Sequence, residues 1–257
     1  MYSDIQKAGL WQRIAAGILD MILLLVLTTG VCWGLSAVFN FEGYLEQSEV
    51  IRQQYTQQFD LPEEVSQEMV NAMTPEEYGE YKAKVEAADA AIREDAEAVR
   101  VLNMVVNLSL IIASGGILLS MILLQFVVPL LFGNGQTLGK KVFNLCVIRN
   151  DGVKLNNLQL FTRVLLGKYA VGVMIPVYAG IMLLLNIPKL LLLLLAAVLM
   201  ISQVVSFLAT RNHSLLHDRM AGTVVVDYGS QKIFKTTEDL IEYQKKLAAE
   251  RAARQQY

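Results

Sequence analysis

Asp20 is the only charged side chain in the run Ile14–Phe39, and Arg13 stands seven residues before it. At membrane depth an ionised group costs roughly 2.5–3.5 kcal/mol on insertion scales, so one that is retained faces a partner or a wet cavity rather than lipid. Seven residues correspond to about 10 Å along a helix, which puts Arg13 and Asp20 on one face but beyond the reach of a short ion pair. Each therefore needs another partner. A buried carboxyl without a cation takes up a proton, because desolvation raises its pKa. Two chemistries follow. Arg13 and an acid can lock the first span to the last, or Asp20 and Asp218, both near the inner face, can hold a proton or small cation.

Two other clusters carry weaker signals. His213 and His217 are four apart, with Asp218 beside the second. Two imidazoles and a carboxylate can ligate zinc, but Ser214 stands where a helical His-Glu-x-x-His motif needs its glutamate, so a polar patch at the membrane exit is expected instead. Gly133-Asn134-Gly135-Gln136-Thr137-Leu138-Gly139-Lys140 superficially resembles a phosphate loop. The preceding segment is an apolar helix rather than a strand, and Lys141 replaces the magnesium-binding Ser or Thr, which argues against nucleotide binding. The glycines are expected to let the chain leave the bilayer, with Lys140 and Lys141 meeting anionic lipid heads. No nucleophile-base pair or metal cluster points to an enzyme, and no cofactor is implied.

The elements that position these residues are mostly apolar. The chain is 54% hydrophobic and 18% charged, against roughly 45–50% and about 25% in soluble domains. Four windows, Ile14–Phe39, Val101–Phe132, Tyr169–Ile187 and Leu190–Thr210, hold at most one charge each. Each approaches or exceeds the roughly 20 helical residues that cross a 30 Å bilayer core, and in lipid only a helix satisfies its own backbone. The first run is too long for a signal peptide and lacks a small-residue cleavage site, so it reads as a retained anchor. Gly30 and Gly34 form a small-xxx-small step that permits close helix contact. Pro176, between Gly172 and Gly180, should kink or loosen the third span.

Charge sets the orientation. Lys140, Lys141, Arg149, Lys154, Arg163 and Lys168 stand against Asp151 alone between the second and third windows, so that loop is cytoplasmic by the positive-inside rule and both termini lie inside. The segment Asn40–Arg100 is opposite in character, with fifteen acids and five bases. Pro62 and Pro75, each followed by two glutamates, mark helix starts there, and the second helix should run unbroken into the second span. In the cytoplasmic loop Val142–Arg149 reads as a strand, Asn150-Asp151-Gly152 as a turn, Val153–Asn156 as the returning strand and Thr223–Tyr228 as a possible third. Asn157–Lys168 has the spacing of an interfacial helix with Arg163 and Lys168 as polar handles. A mixed-charge helix should begin at Thr236-Thr237. Cys32 and Cys146 lie at different levels and form no disulfide framework.

Three separated stretches together resemble the RDD family of bacterial membrane proteins: Ala8-Gly9-Leu10-Trp11-Gln12-Arg13 through Asp20, Gly135-Gln136-Thr137-Leu138-Gly139-Lys140, and Leu216-His217-Asp218-Arg219-Met220-Ala221-Gly222-Thr223. The resemblance assigns Arg13, Asp20 and Asp218 as the family's charged set. Gly135, Gln136, Gly139 and Lys140 form a cytoplasmic motif, supported by His217, Ala221, Gly222 and Thr223. It implies sodium/proton antiport, suggested for some members, or association with other membrane proteins.

The expected molecule is an all-α polytopic membrane protein. A four-helix transmembrane bundle carries a small cytoplasmic β-hairpin or three-stranded sheet and an extracytoplasmic helical insertion. Its segments are 1–39 (first span), 40–100 (acidic insertion), 101–132 (second span), 133–168 (hairpin and interfacial helix), 169–210 (third and fourth spans) and 211–257 (motif segment and C-terminal helix). The expected setting is the bacterial cytoplasmic membrane. The expected role is accessory or structural, the alternative being an oligomeric cation/proton antiporter. Expected partners are the lipid bilayer, a second copy or another membrane protein, and in the alternative a monovalent cation or proton; nucleic acid is not among them.

Overall fold

The computed structural model describes residues 5–6, 8–62, 65–184, 190–209 and 214–255. Three of its helices are long and apolar enough to cross a membrane: Leu10–Val38, Ala96–Phe132 and Asn157–Gly180. Among the described residues much of their apolar surface stays uncovered: Trp11 is 79% exposed, Ile111 51% and Leu166 48%. Apolar surface of that extent is stable against lipid rather than water. The fold is thus all-α and largely membrane-spanning, with one small antiparallel sheet of two strands. The chain divides into two compact units, Thr29–Gly116 and Met1–Thr28 with Ile117–Tyr257.

In the unit Thr29–Gly116, the end of α1 (Leu10–Val38) leads to α2 (Phe41–Gln58), α3 (Gln67–Ala72), α4 (Pro75–Glu94) and the start of α5 (Ala96–Met121). Thr74 caps α4 with a reciprocal capping box to Glu77, and Pro75 opens its first turn as expected. The start expected at Pro62 falls partly outside the described residues, at Glu63 and Glu64; α3 begins at Gln67, where Ser66 accepts the Met69 N–H as N-cap. The run from Pro75 into the second span is also interrupted. Asp95 leaves the helical conformation and accepts the N–H groups of Glu97 and Ala98, capping α5, while Tyr55 donates its hydroxyl to the same carboxylate. Helix initiation by a short acid outcompetes continuation there. A Cβ at Gly30 or Gly34 would meet nothing within 4 Å in the described chain.

In the other unit α5 widens into a π-helical stretch, Ile122–Val127, before closing as α6 (Val128–Phe132). A short α7 (Leu138–Val142) then precedes β1 (Leu145–Arg149). The third apolar helix starts as α8 (Asn157–Phe161), continues as a second π-helical stretch, Thr162–Met174, and ends as α9 (Ile175–Leu184). Asn157–Lys168 is therefore no separate interfacial helix; nothing in it breaks the helical path. Each π-helical stretch lies just before a proline, Pro129 or Pro176. A proline removes a backbone donor, and the wider π-helical turns place the loosening in the residues before it. Beyond α10 (Leu190–Ala209) come α11 (Leu216–Met220), β2 (Thr223–Asp227) and α12 (Thr237–Gln255), whose start at Thr237 matches its expected position.

The expected hairpin is replaced by a pairing between distant strands. β1 and β2 are antiparallel over five rungs, from Leu145 opposite Asp227 to Arg149 opposite Thr223. The turn at Asn150-Asp151-Gly152 does form, but Val153–Asn156 returns for only one isolated bridge, Ile148 to Lys154, before Val153 bridges to Phe234. The competing segment Thr223–Asp227 offers three consecutive valines, which fill a doubly covered strand better than the sequence Val-Lys-Leu-Asn. Leu145, Val147 and Val225 pack with Ala16, Leu160 and Val164, and the opposite face buries Cys146, Ile148, Val224 and Val226. Both faces being buried explains why so small a sheet is stable. In the alternating antiparallel ladder the Val226 N–H faces β1, so Val226→Pro removes a ladder donor and should abolish slow amide exchange across Leu145–Arg149 as well as β2 in hydrogen-exchange mass spectrometry. A hairpin would keep β1 protected.

Candidate functional site

Asp20 and Asp218 occupy two separate sockets, each completed by a different part of the chain. Asp20, buried on α1, faces the N-terminus of α7. Thr137, the N-cap, donates its hydroxyl to Asp20 Oδ2 at 2.5 Å, and the Gly139 N–H donates to Oδ1 at 2.8 Å. Lys140 Nζ lies 3.7 Å from Oδ2 and 3.1 Å from the Thr137 hydroxyl oxygen. A carboxylate at a helix start is stabilised by free N–H groups and the helix dipole together. Close approach sets the residue at 139: a Cβ there would collide with the Ala16 carbonyl oxygen and press on the Asp20 carboxylate. The Gly-x-x-x-Gly-Lys signature thus belongs to a carboxylate socket. Lys140 turns inward rather than to lipid heads, with burial pushing its ammonium down to about 8 against the opposing pull of Asp20. Lys141 is the exposed one, with its ammonium 3.8 Å from the centre of the Phe132 ring.

The rest of this motif supports the socket. Gly135 adopts φ +67° beneath Val147, and the Gln136 amide donates to the Leu145 carbonyl at 2.8 Å while accepting from Asn134. These bonds attach the loop to β1, so the sheet and the Asp20 socket hold one another in place.

Asp218, on α11, is 1% exposed and lies among three cationic or protonatable side chains. Arg163 Nη2 is 2.5 Å from Oδ1, Arg13 Nη2 is 3.6 Å from Oδ2, and His217 Nε2 is 3.4 Å from Oδ1. The Leu215 N–H donates to Oδ2 at 3.2 Å. Arg163 also donates from Nη1 to the Thr223 hydroxyl at 2.8 Å, and that hydroxyl donates to the Asp218 carbonyl at 3.3 Å. Burial acts to raise the Asp218 pKa, but Arg163, His217 and Arg13 outweigh it and hold the carboxyl below its ordinary range. His217 is pushed well below its ordinary value, first by burial and then by Arg163, Lys168 and Lys140, with only Asp218 opposing. Gly167 permits the contact of α11 with the third helix, since a Cβ there would lie 2.5 Å from the His217 Cβ. Ala221 and Gly222 make the turn into β2; the Ala221 carbonyl accepts from Gln159, and Gly222 takes φ +64°.

Arg13 is therefore paired with Asp218, and Asp20 with the loop after the second apolar helix. Arg163 and Lys168, expected as interfacial handles, and Thr137, passed over within its motif, belong to the site instead. Two cations in an otherwise apolar helical run were the available signal for Arg163 and Lys168, as a charge in an apolar run is for Asp20. His213 lies outside the described residues. Among the described residues no group of three or more His, Cys, Asp or Glu could hold a metal ion. Cys146 is buried in the sheet, its thiol pushed up to about 12 by burial, so it is a packing residue.

Long lipid-facing helices tied together by two buried carboxylate sockets define a multi-pass α-helical membrane protein with an internal charge network. The chain belongs to the RDD family, whose family model matches residues 7–222. No curated protein and no solved structure matches it.

Asp218→Asn leaves two guanidinium groups without their buried counter-charge and should destabilise by about 3–5 kcal/mol, read as a lower detergent melting temperature. Acid should act through His217. Its folded pKa lies below the unfolded value, so the unfolded chain binds more protons and stability falls as pH drops below about 6.5. His217→Gln should flatten the decline in melting temperature between about pH 7 and 5, leaving the loss from Asp218 to appear below its unfolded value near 3.9.

Proposed function

We propose that the protein is an accessory or structural component of the cytoplasmic membrane whose charged set is a packing lock. In this reading α10 is a fourth span, both termini and the sheet are cytoplasmic, and Asn40–Arg100 forms an acidic insertion outside. The observation that carries the proposal is that each buried carboxylate already has its counter-charge. Asp20 accepts a hydroxyl, a helix N–H and a nearby ammonium, and Asp218 lies between Arg13 and Arg163. A transported cation would have to displace a covalently attached one from a buried position. The positive-inside pattern supports the orientation. The exposed apolar helices and the acidic insertion offer surfaces for a second copy or another membrane protein.

Reconstitution in vesicles with an imposed pH gradient tests the lock against the antiporter. Addition of sodium, lithium or potassium should leave the gradient intact across a range of pH, while Asp20→Asn and Asp218→Asn lower the melting temperature. Cation-dependent collapse of the gradient that folded Asp20→Asn or Asp218→Asn protein no longer supports would overturn the lock.

A further inference from the structure

The two sockets share a cavity of about 500 Å³ whose charges do not balance. Among the described residues it is lined by four cationic side chains, Arg13, Lys140, Arg163 and Lys168, against the two carboxylates Asp20 and Asp218. Asp218 is engaged by Arg13 and Arg163, and Asp20 by Lys140. Lys168 donates to the Gln125 amide oxygen at 2.6 Å and has no carboxylate within ion-pairing distance among the described residues. A surplus of positive charge beside apolar walls is costly unless a proton leaves or an anion completes it, and an anion at Lys168 would favour the charged ammonium. The remaining wall is mostly apolar, including Ile18, Met21, Leu24, Val173 and Phe207, and Gln203 adds a second amide.

We infer that this cavity is a binding site for a phosphate-bearing anion, held at the charged end by Lys168 and Lys140 with the Gln125 and Gln203 amides alongside. The volume and walls indicate which source of phosphate fits. A space of about 500 Å³ is many times the minimum that holds one water and far more than a bare phosphate fills. Apolar residues on α1 beside the cations suit the first carbons of an acyl or glycerol chain. The ligand class is therefore an anionic phospholipid with its phosphodiester at Lys168, and free phosphate is the competing source. The site goes beyond the lock, because Lys168 belongs to neither carboxylate socket.

The test uses the full chain in neutral detergent, titrated separately with phosphatidylglycerol, phosphatidylcholine and inorganic phosphate. Bound lipid is read by native mass spectrometry and stability by melting temperature. Phosphatidylglycerol should bind and raise the melting temperature, phosphatidylcholine should do neither, and Lys168→Gln should weaken phosphatidylglycerol binding at least about 10-fold, the equivalent of 1.4 kcal/mol. Lys168→Arg should retain it. Without lipid, Lys168→Gln should melt no lower than the parent, because a repelled cation has been removed; a lower value would make Lys168 a packing residue and overturn the inference. Equal binding of the two lipids, or unchanged binding by Lys168→Gln, would also overturn it. Saturation by inorganic phosphate at the concentration that phosphatidylglycerol requires would keep the phosphate chemistry and reject the lipid source.

Discussion

The membrane-embedded part of this protein depends on the pairing of Asp218 with Arg13 and Arg163. One buried carboxylate joins the first apolar helix, the third apolar helix and the short α11 that leads into the sheet. No single contact here is strong by Coulombic gain alone, because desolvation offsets most of it. What it provides is uniqueness: any register of the three elements that separates the partners leaves guanidinium or carboxylate charge buried and unpaired. Apolar helices in lipid have little hydrophobic reason to choose one neighbour over another, so packing and polar contacts must make the choice.

The second socket performs the same task for the loop. The Asp20 carboxylate lies against the start of α7, and Gln136 ties that loop to β1. β1 in turn pairs with β2, which follows directly from α11. A closed circuit results, from α1 to α7 to the sheet to α11 and back through Arg13. Each carboxylate thus acts on helices and sheet at once. The glycines in the circuit act by their size, at Gly139 against α1 and at Gly167 against α11.

The sequence is informative about this arrangement where one residue type has few physical options. Asp20 in an apolar run had to be sheltered, the apolar windows had to be helices, and Thr74-Pro75-Glu76-Glu77 had to open a helix. Partner choice was less legible. Spacing excluded a direct Arg13–Asp20 pair but could not show that Asp20 would find α7, because its ligands are a backbone N–H and a hydroxyl 117 residues away. The hairpin misled for a related reason: Asn150-Asp151-Gly152 is a strong local turn, yet the better strand partner lay in the valines at 224–226. Arg163 and Lys168 read as interfacial polar handles because their spacing on a helix says which residues share a face and not what that face meets.

The distance along the chain between Asp20 and its socket also bears on how the protein is made. At about 5–20 residues per second, the 117 residues between Asp20 and Thr137 take roughly 6–23 s to synthesise. Arg13 waits longer still for Asp218, which is encoded after the last apolar helix. During that interval the first helix carries both charges without the partners they have in the finished protein. Asp20 and Arg13 therefore reach their final partners only after Thr137 and Asp218, respectively, have been made.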